Sequence, residues 1–436
     1  MIRPIDIILA MALLTNGVMA NPLPKANATY APVDMAQVRL GQLLFYDPIL
    51  SGSKTVACAT CHHPNHAIAD GLSLGRGDGA HGLGPKRMID PKNLPEQRVP
   101  RNAPALFNLG AHEFTTMFHD GRLEADPTRP SGIRTPLGTE MVQGFASVLS
   151  AQSMFPVLSP DEMAGHYTES DVARAVRQGF LTGEDGAWSL ISARVAGIKE
   201  YQSAFEQING PGHSVTFTDI SDVIAEFIAF EWRADNSPFD QYLRTGEPLP
   251  KAANLGMSLF YGKAQCSTCH AGQFQTDHDF HAIALPQVGP GKSARFETHA
   301  RDEGRLRVTG NPADAYKFRT PSLRNIAQTA PYGHNGDYAT LEAMIRHHLD
   351  PVASLKAYNV AQLVLPDLPN SQDFRATHDP DEQAAIAAAN ELSPSNLSET
   401  EIMQIVAFLN ALSDTASLAG KLGVPQTVPS GLPVDQ

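Results

Sequence analysis

Cysteine occurs only four times in these 436 residues and tryptophan only twice, and no block of basic side chains appears anywhere. The 46 Asp and Glu outnumber the 33 Lys and Arg, so nothing electrostatic draws the chain to nucleic acid or to an anionic membrane. Nucleic acid is excluded as a partner. Long apolar runs are missing too. The longest, Ile7 to Leu14, is well short of the ~20 residues that a bilayer span requires. Alternating strand patterns are scarce, which argues against a β-rich fold.

What is present at the N-terminus has a different meaning. Arg3, the apolar run and the small residues ending in Val18-Met19-Ala20 read as a signal peptide over 1–20, cut after Ala20. The mature chain is then expected to be soluble outside the cytoplasm, with no membrane insertion once the signal is removed. Exported chains often pair their cysteines, and four allow three disulfide connectivities. Here all four fall in Cys58-Ala59-Thr60-Cys61-His62 and Cys266-Ser267-Thr268-Cys269-His270. None is left over.

Cys-x-x-Cys-His attaches a c-type haem. Two thiols one helical turn apart add to the haem vinyl groups, and the next histidine turns under the iron. A zinc site would need two more soft ligands nearby, and a thioredoxin-like pair would not need a following histidine twice. The expectation is two covalently attached haem c groups and no disulfide, with His62 and His270 as iron ligands.

The chain also repeats itself. Leu40-Gly41-Gln42-Leu43-Leu44-Phe45-Tyr46 precedes the first motif and Leu255-Gly256-Met257-Ser258-Leu259-Phe260-Tyr261 the second. Downstream, Pro104 to Asn108 and His119-Asp120-Gly121 are echoed by Pro321 to Asn325 and His334-Asn335-Gly336. Each half closes on an amphipathic pattern, Asp222 to Glu231 and Glu401 to Leu412, the latter opened by a Ser398/Glu401 capping box. The repeat predicts an all-α fold of two cytochrome c-like domains, 33–236 and 237–414, with long ordered loops. The boundary is set at Ser237-Pro238, and 415–436 is read as an extended tail with no chemistry.

Function turns on the sixth iron ligands, since an electron carrier fills both axial positions and an enzyme leaves one open. Position has to choose among sixteen histidines. Both motifs, together with Arg101-Asn102-Ala103-Pro104, Phe118 to Arg122, Glu140-Met141, Ser237 to Asp240, Arg319 to Asn325, Thr329 to Tyr332 and Thr340-Leu341-Glu342, resemble the bacterial di-haem cytochrome c peroxidase and MauG family. The likeness runs in the family's order over nearly the whole mature chain.

That resemblance implies a periplasmic enzyme in which the N-terminal haem reacts with hydrogen peroxide to give a high-valent state and the C-terminal haem passes or stores electrons. Glu140 falls at the distal acid, a carboxylate able to move a proton between the peroxide oxygens. His119 stands where the family keeps a tryptophan between the haems. The loop histidine that closes the resting haem in classical peroxidases is replaced by Arg76, with His81 five residues on, so an open pocket is expected. Counting from Thr340 places His348 as the second haem's distal ligand, where peroxidases carry methionine and MauG tyrosine; Met344 and His347 on the same helix are the alternative ligands. Asn102, Thr329 and Pro331 match the oxygens that hold one calcium ion. The tryptophan that relays oxidation in MauG is Ala264 here, and Trp188 and Trp232 are expected in the core.

These features favour a MauG-like enzyme oxidising an aromatic residue, Trp or Tyr, of a periplasmic partner protein. The alternatives are a cytochrome c peroxidase drawing electrons from a small cytochrome c or copper protein, and a non-catalytic electron-transfer cytochrome.

Overall fold

The computed structural model describes residues 22–141, 144–166, 170–293 and 297–436. The signal-peptide reading of 1–20 therefore lies outside the described residues. Seven helices bear on the site: α1 (Met35–Tyr46), α2 (Cys58–Cys61), α3 (Phe217–Glu231), α4 (Lys251–Phe260), α5 (Leu341–Leu349), α6 (Glu399–Ala411) and α7 (Thr415–Leu418). None of the described helices is long and apolar enough to cross a membrane.

The all-α expectation needs correction. Helix makes up only about 40% of the chain, and among the described residues short strands pair into three small antiparallel sheets. β1 (Ala80–His81) pairs with β2 (Met88–Ile89); β3 (Thr116–Met117), β4 (Leu123–Ala125) and β5 (Ile133–Arg134) form a second sheet; β6 (Phe280–His281) pairs with β7 (Phe318–Arg319). Strands of two or three residues are too short to write an alternating pattern into the sequence. They close Gly- and Pro-rich loops by satisfying backbone groups that would otherwise lie buried without partners.

Hydrophobic packing gathers into two main clusters. One joins Leu44, Phe45, Phe227 and Trp232 around α1 and α3; the other joins Phe260, Ile405 and Phe408 around α4 and α6. The sequence repeat explains the similarity. At each crossing of paired helices the repeated glycine meets backbone: a Cβ on Gly41 would overlap the carbonyl of Val223, and one on Gly256 the carbonyl of Gln404. The repeated asparagines finish the closing helices in the same way. Asn108 and Asn325 are left-handed, with φ of 64° and 59°. Asn108 accepts from the Ala234 N–H at 2.8 Å and Asn325 from the Asp414 N–H at 2.7 Å.

The halves meet along a charged seam. Arg101 donates to both oxygens of Asp302 at 2.7 and 2.8 Å and lies 2.8 Å from Asp120. Ser73 Oγ donates to the Gly336 carbonyl at 2.7 Å, and Arg98 pairs with Asp373 at 2.9 Å. Residues 415–418 form α7, and beyond it the chain runs back over the first cluster, with Val428 buried there.

Candidate functional site

Each Cys-x-x-Cys-His motif forms a tight turn, α2 in the first half and a 3-10 turn over Cys266–Thr268 in the second. No disulfide links the four cysteines. Burial pushes Cys58, Cys61 and Cys266 up to about 12 and Cys269 to about 11, so none is a ready thiolate at neutral pH. A soft-metal site is poorly served. The one three-donor cluster among the described residues, Cys269 with Asp277 and His281, is short of the four ligands that structural zinc takes.

The two motif histidines are held alike. His62 Nδ1 lies 3.2 Å from the Ile68 carbonyl and His270 Nδ1 lies 3.1 Å from the Gln275 carbonyl. Both carbonyls are turned back by a residue at positive φ, Ile68 at 61° and Gln275 at 50°. A β-branched residue seldom adopts that region, so the backbone at Ile68 is strained to orient His62. With Nδ1 engaged, Nε2 is the nitrogen left for iron; the Pro104 carbonyl also faces the His62 ring. Burial lowers both imidazoles to about 4, with His348 adding to the effect on His270. They stay neutral, as an iron ligand must.

Opposite His270 stands His348, near the end of α5. Its Nδ1 donates to the Met344 carbonyl at 2.9 Å, and the two ring centres are 6.4 Å apart. A metal–imidazole bond of about 2.0 Å and a nitrogen about 1.1 Å from its ring centre would put two imidazoles on opposite sides of one metal about 6.2 Å apart. The spacing fits a shared iron. The neighbouring His347 is occupied on both sides, with Nδ1 at 2.9 Å from Tyr338 Oη and Nε2 at 2.7 Å from the Ile283 carbonyl. Met344 contributes its carbonyl to His348.

Arg76 takes the place of the closing histidine, and His81 is the residue weighed as a cap on the first haem. The Arg76 guanidinium donates to the carbonyls of Arg87, at 2.8 Å, and Asp367. His81, at the end of β1, keeps its side chain 59% exposed and lies 3.7 Å from Asp90. Glu140 ends a 3-10 turn over Gly138–Glu140 and is exposed, two residues before a segment outside the described residues. His119 sits in the seam, its Nε2 3.1 Å from the Asn102 carbonyl, while the Arg319 N–H donates to its own carbonyl at 2.7 Å. Asn102 spends its amide N–H on the Leu72 carbonyl at 2.7 Å. Thr329 Oγ1 donates to Ile326 at 3.2 Å, and Pro331 follows a cis peptide bond. Trp188 and Trp232 are both buried in the first cluster.

Several contributors escape sequence reading. Ile68 and Gln275 act through carbonyls, which any residue type provides. His334 was visible as part of the repeat; it stacks on Phe318 at 3.8 Å and 15°, with both ring nitrogens buried and unpartnered among the described residues.

Two haem-attachment turns, each followed by a histidine pinned through Nδ1, define a class: di-haem c-type cytochromes. Comparison with known proteins narrows it. The model of the di-haem cytochrome c peroxidase family matches residues 35–247. The methylamine utilization protein MauG of Methylorubrum extorquens is 28% identical over 333 residues, 75% of this chain and 71% of that one. The cytochrome c peroxidase Ccp of Escherichia coli is 31% identical over 319 residues, 72% of this chain and 53% of that one. Among solved structures, a MauG-like protein associated with microbial copper homeostasis superposes with a TM-score of 0.56 at 24% identity, covering 92% of this chain and 95% of that one. The diheme peroxidase BthA of Burkholderia thailandensis gives 0.59 at 17% identity, covering 96% and 97%; both show the fold alone. These comparisons relate the chain to the di-haem cytochrome c peroxidases and MauG, and it is a haem-dependent oxidoreductase.

Proposed function

We propose that the chain is a periplasmic enzyme of the MauG-like kind, reacting with hydrogen peroxide at a first haem held by Cys58, Cys61 and His62 and withdrawing electrons from an aromatic residue of a partner protein through a second haem held by Cys266, Cys269, His270 and His348. Residues 33–236 and 237–414 are read as its two domains. The observation that carries this reading is the 6.4 Å pairing of His270 with His348. Two neutral imidazoles favour the ferric state more than histidine with methionine does, which suits a haem that stores oxidising equivalents.

When bound, haem iron supplies the redox chemistry of peroxide cleavage. The residues supply the rest. His62 and His270 stay neutral and fixed through Nδ1, so their Nε2 atoms point one way. Glu140 is read as the group that takes a proton from one peroxide oxygen and returns it to the other. The engaged Arg76 and outward-facing His81 favour a first pocket open at rest. His119, in the seam and lowered to about 4 by burial and by Arg101, stays neutral between the halves. Asn102, Thr329 and Pro331 offer hard oxygen donors suited to one calcium ion.

A second reading, a cytochrome c peroxidase fed by a small cytochrome c or copper protein, is favoured by the 31% identity to the Escherichia coli enzyme. Mixing fully ferric protein with stoichiometric peroxide separates the two. The MauG-like reading expects an immediate change in the haem spectrum. Silence until one haem is reduced would establish the second reading, and silence in both states would leave a pure electron carrier.

A further inference from the structure

The tail after α7 does more than pack. It leaves the second cluster where Asn325 grips Ser417 at 2.8 Å, then crosses to the first half. There the buried Glu231 carboxylate accepts from the N–H groups of Leu422, at 2.8 Å, and Gly423, at 2.8 Å, while Gln42 donates to the Gly423 carbonyl at 2.8 Å. Gly420, at φ 73°, lies so close to Glu231 that a Cβ would overlap the carboxylate. Further on, Ser430 donates to Asp47 at 2.7 Å, the same buried carboxylate that takes the Tyr201 hydroxyl at 2.6 Å.

The tail ends on the first haem-attachment turn. Thr60 stands between Cys58 and Cys61 and is buried. Its hydroxyl accepts from the Ala57 N–H at 2.9 Å and donates to Asp435 Oδ2 at 3.2 Å. Because one hydroxyl proton serves one acceptor, Asp435 fixes the rotamer in which the Thr60 lone pair faces Ala57, the residue before Cys58. In the second motif Thr268, the counterpart of Thr60, is exposed.

We infer that residues 419–436 form a strap from the second half that holds the first haem-attachment turn, with Asp435 a positioning residue that acts through Thr60 on Cys58, Cys61 and His62. This rests on the reading that those three residues carry a haem. The strap gives the first haem, and not the second, an orientation set from the far side of the seam.

The test compares full-length Asp435→Ala with Asp435→Asn, whose side-chain oxygen still accepts from Thr60. In Asp435→Ala the first haem's midpoint potential and electron paramagnetic resonance signal should shift, the second haem's should stay, and amide exchange at His62 and His63 should quicken about tenfold, as expected for the loss of one hydrogen bond. Asp435→Asn should restore all three. Unchanged signals and exchange in Asp435→Ala, or equal shifts at both haems, would overturn the strap. Mass spectrometry of the wild type keeps the two ideas apart: an unmodified Cys58 and Cys61 would sink the haem reading, and the exchange rates alone would then judge the strap.

Discussion

His270 and His348 face each other with ring centres 6.4 Å apart and planes inclined at 56°, while His347, one residue earlier on α5, turns into the protein to bridge Tyr338 and Ile283. Adjacent helical residues point about 100° apart, so only one of the two can meet His270. The roles should separate on mutation. His348→Met should change the low-spin signal of the second haem and raise its potential, with little change in stability. His347→Ala should leave that signal alone and lower stability by about 1–3 kcal/mol, because it strips two buried hydrogen bonds. A ligand signal that moves in His347→Ala and not in His348→Met would reverse the assignment.

The strained carbonyl at Ile68 makes a second case. Glycine would adopt its φ of 61° freely, a relief of about 1–2 kcal/mol, but would empty a fully buried site, a loss of about 2–5 kcal/mol for a large aliphatic side chain. The loss wins. Ile68→Gly should destabilise by about 1–3 kcal/mol in denaturant titration, with the axial signal of the first haem retained because the carbonyl stays. A stabilised variant would mean that backbone strain outweighs packing there.

The parts legible in the sequence were those built from side-chain identity. The paired Cys-x-x-Cys-His motifs, the glycines at the helix crossings and the asparagines that finish each half could all be read as a repeat before any geometry was known. His348 was legible only through a count from Thr340, which caps α5 and so fixes its register. What stayed hidden is carried by backbone. The strands are two or three residues long, the acceptors at Ile68 and Gln275 are carbonyls, and the tail binds through main-chain N–H groups that meet Glu231.

Arg101 joins the halves through Asp302 and pairs with Asp120 of its own half in a nearly solvent-free seam. Burial works against the charge on Asp302, but Arg101 prevails and holds it down at about 2. Its stabilising contribution is therefore present above the ordinary carboxylate value and is lost as pH falls through about 2. Asp302→Asn should cost about 3–5 kcal/mol near neutral pH, since it leaves a buried guanidinium short of its bidentate partner. Thermal unfolding of the loaded protein measures this. A loss under about 1 kcal/mol would show that Asp120 alone suffices.

Asp70 behaves in the opposite sense. Burial raises its carboxyl to about 7 against a usual 3.8, with the Leu72 N–H and Arg87 offsetting only part of the effect. The folded state thus holds a proton that the unfolded chain releases, and stability falls as pH rises from about 4 to about 7. Asp70→Asn keeps the acceptor for Leu72 and removes the titration. Its melting temperature should match the wild type near about pH 4 and exceed it at about pH 8. Parallel curves across that range would mean that Asp70 is already ionised in the fold.

Glu140 ends its 3-10 turn in solvent. If it moves the peroxide proton, Glu140→Gln keeps the shape and removes the acceptor, so the reaction of ferric protein with peroxide should slow by about 10²–10⁴-fold. Resting spectra and stability should barely change, because an exposed amide replaces an exposed acid. A rate within about threefold of wild type would remove Glu140 from the chemistry and return its turn to the status of an ordinary solvated loop.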